Sequence, residues 1–170
     1  MNLYDYIRNI PDFPEEGVQF KDVTTLLKNG PAFHEMVDQM KASLGGKQVD
    51  LLIGPEARGF LFGSPLAYAM GVGFVIARKP GKLPAETCKY EYELEYGTDV
   101  LEVHTDAIQT GQKVVVVDDL LATGGTALAV ARLVEEMGGE VVAMSFAIEL
   151  NDLKGREKVG EYEVHSVLQY

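Results

Sequence analysis

A chain of 170 residues, 46% hydrophobic and 24% charged, has the size and composition of one globular domain with a substantial core. Its 15 basic and 26 acidic residues leave a net charge of −11, which excludes nucleic acid or an anionic membrane as the main partner, although a local cluster of Arg and Lys can still hold a small anion. One cysteine, Cys88, allows no internal disulfide and fits a reducing, cytoplasmic setting, and the acidic, weakly apolar N-terminus does not read as a signal peptide.

Residues 2–10 have helical spacing, with Leu3, Tyr6, Ile7 and Ile10 on one face, and Pro11 and Pro14 end that segment. Phe20-Lys21-Asp22 then leads into a loop or short turn, and Phe20 taken alone reads as a core residue. Phe33, Met36, Val37, Met40 and Leu44 mark a helix over 31–44. Residues 49–53 form a buried strand, followed by Gly54-Pro55-Glu56-Ala57-Arg58-Gly59, a tight loop opening a helix. Arg58 is a permanently charged fork at that helix start, suited to an anion or, in isolation, to a surface carboxylate.

Residues 59–77 carry no charge and are long enough to span a bilayer, but Gly63, Pro65, Gly71 and Gly73 divide them into a buried helix, a turn and a strand. Arg78 and Lys79 end that strand, as an anion clamp or as a solvated strand end. In residues 82–103 the period becomes two: Tyr90, Tyr92, Leu94 and Tyr96 alternate with Glu91, Glu93 and Glu95, Gly97-Thr98-Asp99 is a turn, and Val100, Leu101 and Val103 return. So exposed a hairpin suits a mobile flap.

The stretch around which the rest is arranged is 114–126. Four valines make a strand buried on both faces of a parallel sheet, and Asp118 and Asp119 stand where that strand reaches the carboxyl edge, the place where open α/β sheets bind ligands. Ala122-Thr123-Gly124-Gly125-Thr126 follows, then a helix with Ala127, Val130, Ala131 and Val134 on one face and Gly138-Gly139 as its stop. A glycine-containing turn at a helix N-terminus offers free N–H groups and a favourable dipole to a phosphate. Two carboxylates beside it repel phosphate but accept hydrogen bonds from sugar hydroxyls. Residues 141–148 form another buried strand, closed by Glu149-Leu150; 151–160 is a polar helix or loop, and 164–170 a last strand. His104, His165 and Cys88 make no recognisable metal or nucleophile set.

The run Val-Val-Asp-Asp-Leu-Leu-Ala-Thr-Gly-Gly-Thr resembles the signature of the type I phosphoribosyltransferases, in its adenine-using form. The segments Pro11-Asp12-Phe13-Pro14, Phe20-Lys21-Asp22, Arg58-Gly59-Phe60-Leu61-Phe62-Gly63, Arg78-Lys79-Pro80-Gly81-Lys82-Leu83-Pro84, Leu94-Glu95-Tyr96-Gly97 and Leu153-Lys154-Gly155-Arg156-Glu157-Lys158 carry the resemblance along nearly the whole chain. It implies a three-layer α/β domain over 1–170 with a mostly parallel sheet, a small hood from about 1–30 and 149–170, and a flexible catalytic hairpin over about 82–103. It also implies transfer of phosphoribose from phosphoribosyl pyrophosphate (PRPP) to adenine, giving AMP and diphosphate.

By family position, Ala122, Thr123, Gly124, Gly125 and Thr126 hold the 5′-phosphate, and Asp118 and Asp119 the ribose hydroxyls. Arg58, Arg78, Lys79 and Lys82 neutralise the diphosphate. Phe20 and Leu150 wall the base, Gln19 and Lys21 offer it backbone hydrogen bonds, and Glu95 is the acidic catalytic residue. The resemblance further implies Mg2+ carried on the substrate rather than bound directly by the protein, a cis peptide at Glu56–Ala57, and a homodimer. Its rivals are transfer to another base and a non-catalytic PRPP sensor; the flap segment with Glu95 weighs against the sensor.

Overall fold

The computed structural model describes residues 1–94 and 97–170. Its centre is a five-stranded sheet in the order β4-β3-β7-β8-β9, comprising β3 (Leu51–Pro55), β4 (Gly73–Ala77), β7 (Lys113–Leu121), β8 (Glu140–Glu149) and β9 (Val164–Gln169). Every pairing within it is parallel. The valine run explains why β7 sits in the middle. Val115 and Val117 enter one core with Leu52, Ala143 and Ala147, while Val114 and Val116 enter a second with Ile53, Met144 and Phe146. Alternate side chains of a strand point to opposite faces, so a strand covered on both sides is apolar at every position.

Helices α2 (Gly30–Ser43) and α3 (Arg58–Met70) contribute Met36, Met40, Phe62 and Leu66 to the first core. α4 (Gly125–Glu136) contributes Val130, Leu133 and Val134 to the second. The Asn29 side chain accepts the Ala32 N–H at 3.0 Å, with Pro31 in the first turn, so α2 starts where a cap and a proline direct it. α3 stops at Gly71, which takes the left-handed conformation.

Three expectations are corrected. Residues 2–10 are not one helix: a 3-10 turn at Leu3–Tyr6 gives way to β1 (Arg8–Pro11), which pairs antiparallel with β2 (Gln19–Asp22) in a separate two-stranded sheet. The segment is too short for its helical spacing to outweigh strand pairing. The loop after Asp22 contains a one-turn helix, α1 (Thr24–Leu27).

The third correction concerns the hairpin, β5 (Thr87–Leu94) with β6 (Gly97–His104). Gly97, Thr98 and Asp99 are its first β6 residues, paired with Leu94, Glu93 and Tyr92, rather than its turn. Its base is also less exposed than its composition implies. Leu101 and Val103 are buried in the second core, Cys88, Tyr90 and Tyr92 pack against it, and Glu102 exchanges backbone hydrogen bonds with Arg78 at the end of β4. After β8 come a 3-10 turn at Asn151–Leu153 and the short helix α5 (Gly155–Lys158). Among the described residues no helix is long and apolar enough to cross a membrane.

Candidate active site

The carboxyl ends of β3 and β7 and the N-termini of α3 and α4 converge on one cleft of about 240 Å³. Its lining is Pro55, Glu56, Arg58 and residues 118–127. The structure therefore brings Asp118, Asp119, Ala122, Thr123, Gly124, Gly125, Thr126 and Arg58 together. β7 runs on past the two aspartates to Leu121, so they project from the last part of the strand instead of following it.

Gly124 caps α4 with φ +89°, a left-handed conformation that suits glycine. The turn before it delivers the chain into a twelve-residue helix whose first N–H groups lack intrahelical partners. Such an end accepts an anion through N–H donors and the helix dipole, worth about half a positive charge.

The acidic pair is asymmetric. Asp119 is 5% exposed, and its Oδ2 meets Arg58 Nε at 3.0 Å. Asp118 accepts the Asp119 N–H on Oδ1 at 2.8 Å. Burial first, and then the Asp119 charge beside it, push the Asp118 carboxyl well above the usual carboxylate range. Hydroxyl donors placed against Asp118 would favour its carboxylate form.

Arg58 is held by a different carboxylate from the other cations. Besides its bond to Asp119, its guanidinium is 5.9 Å from the Phe20 ring centroid, so it connects the acidic pair to β2. Arg78, Lys79 and Lys82 do not line the cleft and reach it through Glu56. The Glu56 carboxylate accepts from Arg78 Nε at 3.3 Å, from the Lys79 N–H at 2.7 Å and from the Lys82 ammonium. Burial works to raise the Glu56 carboxyl, but Lys82, the Lys79 N–H and Arg78 hold it below its ordinary value. The Lys79 ammonium is paired with Asp99 on the hairpin. That pairing is the main reason the Asp99 carboxyl lies low. The Tyr92 hydroxyl lies 3.4 Å from the same Asp99 oxygen. Sequence reasoning missed Glu56 and Asp99, because nothing in their spacing marks a carboxylate as the partner of a cation cluster. The Glu56–Ala57 peptide is cis.

The four residues assigned to the base lie outside the cleft lining. Phe20 is half-buried and packs edge-on against Phe13 at 5.1 Å. The Gln19 and Lys21 side chains are both taken by Asn9, at 2.8 Å each, and the Lys21 ammonium sits 4.4 Å over the Tyr170 ring. Leu150 is tied to the cleft-lining Leu121 by its N–H, which donates to the Leu121 carbonyl at 3.0 Å. Glu95 falls outside the described residues.

The model of the phosphoribosyl transferase domain matches residues 22–168. The chain belongs to this family. Among curated members, the adenine phosphoribosyltransferase of Alkaliphilus metalliredigens is 61% identical over 170 residues, covering all of both chains. That of Clostridium perfringens is 57% identical, covering all of this chain and 99% of the relative. Solved members of the family superpose closely. The adenine phosphoribosyltransferase of Thermoanaerobacter pseudethanolicus has a TM-score of 0.96 at 55% identity, covering 99% of this chain and 100% of that one. The Saccharomyces cerevisiae enzyme, solved with an imino-altritol bisphosphate and adenine, has a TM-score of 0.90 at 40% identity, covering 96% and 95%. The expected type I fold with its parallel sheet is the observed one.

Proposed function

We propose that this chain transfers the phosphoribosyl group of PRPP to adenine, releasing AMP and diphosphate in purine salvage. The observation that carries the reading is the cleft itself: an acidic pair set directly before a phosphate-accepting turn and helix end, within a chain 61% identical to an adenine phosphoribosyltransferase over its full length. A ligand with a ribose diol next to a phosphate matches that order of groups.

In this reading residues 122–126 receive the 5′-phosphate, and Asp118 and Asp119 the ribose hydroxyls. Arg58, Arg78, Lys79 and Lys82 face the diphosphate. The base lies by Phe20 and Leu150, with backbone groups of Gln19 and Lys21 reading its edge. The hood comprises about 1–30 and 149–170, and the flap about 82–103. Adenine N9 forms the new bond to the sugar C1′ as the bond from C1′ to the diphosphate oxygen breaks. The proton that adenine loses passes from N7 to Glu95. Holding the two reactants in line and neutralising the leaving group supply most of the rate.

Magnesium enters with the substrate. It prefers oxygen ligands in octahedral array and retains water, and among the described residues no group of three or more His, Cys, Asp or Glu is placed to cage it. Asp119 is already paired with Arg58, so the diphosphate and ribose oxygens are the better donor set. The single cysteine supports a cytoplasmic setting.

Two copies of the chain pair through the outer face of α3. Tyr68 is 91% and Leu61 43% exposed there, and with Phe33, Phe60 and Pro65 they line a shallow apolar groove. Sedimentation at micromolar concentration detects a dimer; an 18.6 kDa species alone overturns the pairing.

The test of function is direct: purified protein, Mg2+ and PRPP are combined with each base in turn, and nucleotide is measured. Adenine is converted, and hypoxanthine and guanine poorly or not at all, because a pocket built for one hydrogen-bond pattern leaves polar groups unpaired against another. Comparable turnover of hypoxanthine and adenine overturns the assignment.

A further inference from the structure

α5 is seated on the phosphate-accepting turn. A Cβ at Gly155 would lie 2.3 Å from the carbonyl oxygen of Ala122, and one at Gly124 would lie 2.8 Å from the carbonyl oxygen of Gly155. Backbone meets backbone here because both positions lack side chains. The contact fixes Lys158, the last residue of α5, over the start of α4. A Cβ at Gly124 would be 3.3 Å from Lys158 Cβ, and one at Gly125 would be 3.9 Å from its Nζ.

The cations around the cleft differ in one respect. Arg58 is held by Asp119, Arg78 and Lys82 by Glu56, and Lys79 by Asp99. Lys158 is exposed and, among the described residues, makes no ion pair and no hydrogen bond through its ammonium. The turn it overlooks needs charge. A phosphate monoester carries about −1.5 to −2 at neutral pH, and the end of α4 offers about half a positive charge against it. Residues 122–126 contain no cation, and Asp118 and Asp119 stand immediately before them. A lysine ammonium on a flexible four-carbon stem is suited to reaching an anion in such a place.

We propose that Lys158 is an additional ligand of the sugar 5′-phosphate, closing the turn from the side of α5. This rests on the phosphoribosyl-transfer reading and adds a residue to it. The position makes Lys158 selective for one end of the substrate: it acts on the phosphate ester and leaves the diphosphate to the cations grouped around Glu56.

The experiment uses the full chain and ribose 5-phosphate, a ligand that binds without turnover, titrated by calorimetry against wild type, Lys158→Gln, Lys158→Arg and Lys154→Gln. Losing one charge-assisted contact weakens ribose 5-phosphate binding about tenfold in Lys158→Gln. Arginine restores most of it, and Lys154→Gln, which removes an equal charge from the same segment, binds as wild type does. In turnover, Lys158→Gln raises KM for PRPP and leaves KM for adenine unchanged. Wild-type affinity in Lys158→Gln, or equal weakening in Lys154→Gln, overturns the proposal. Failure of the wild-type chain to bind ribose 5-phosphate overturns the phosphoribosyl reading instead. Lys158 is exposed, so its variants fold, and matching thermal denaturation curves check this.

Discussion

Replacing Glu95 by Gln lowers kcat by about two to three orders of magnitude, the range of positioned acid–base catalysis. Adenine attacks through N9 and becomes electron-poor as the bond to C1′ forms, so its N7 proton must leave. A carboxylate brought to the base by the proposed flap can accept that proton and return it in the reverse direction. The amide of Gln keeps the shape and loses the basicity. Glu91 and Glu93, on the same hairpin, are exposed, and Glu91→Gln and Glu93→Gln leave kcat nearly unchanged. Single-turnover kinetics isolates the chemical step. Equal single-turnover rates for wild type and Glu95→Gln would falsify the role.

The second large effect belongs to Asp118, and its two parts have opposite signs. Asp118→Asn weakens PRPP binding about ten- to a hundredfold, the loss expected for one hydrogen bond to a charged acceptor. The same change makes the unliganded protein more stable near neutral pH. Burial and the neighbouring Asp119 raise the Asp118 carboxyl in the folded state above its unfolded value. The folded protein therefore binds more protons than the unfolded chain between those two values. Stability falls as pH rises through that window, and the deficit persists above it. Below the ordinary carboxylate range both states are protonated and the advantage of Asn disappears. Thermal denaturation over a pH series, with calorimetry on PRPP, measures both parts. A variant that binds PRPP normally and melts lower at neutral pH contradicts the account.

Much of the fold is legible because burial leaves a mark on composition. Four valines in succession suit a strand covered on both faces, and the Gly-Gly-Thr turn behind them locates the helix start. Residues 8–11 and 19–22 were not legible as a sheet. Each strand is four residues long, and its partner lies across a loop, so neither has a period to show. Gly97-Thr98-Asp99 reads as the hairpin turn because those residue types favour turns; strand pairing with residues 92–94 overrides that preference.

At the site, Asp118, Asp119 and the turn could be read from one contiguous run. Glu56 and Lys158 could not. Glu56 acts through cations 22 to 26 residues away, and Lys158 is carried to the turn by a contact between two glycines. Among Lys154, Arg156, Glu157 and Lys158, spacing alone does not distinguish the lysine that overlooks the cleft.

Glu56 and Asp99 also set how the protein behaves among the other phosphates of a cell. With Arg78, Lys79 and Lys82 already neutralised from within, the Glu56 side of the cleft has little attraction for a passing nucleoside triphosphate or free diphosphate. An anion drawn to those three cations must displace a carboxylate and shed its own water, a cost that its contacts there barely exceed. Only a ligand that also fills the turn and engages the acidic pair makes the exchange favourable. Discrimination then comes from the internal carboxylates that competing anions must displace, and the protein can work in a phosphate-rich solution without being saturated by the commonest anions in it.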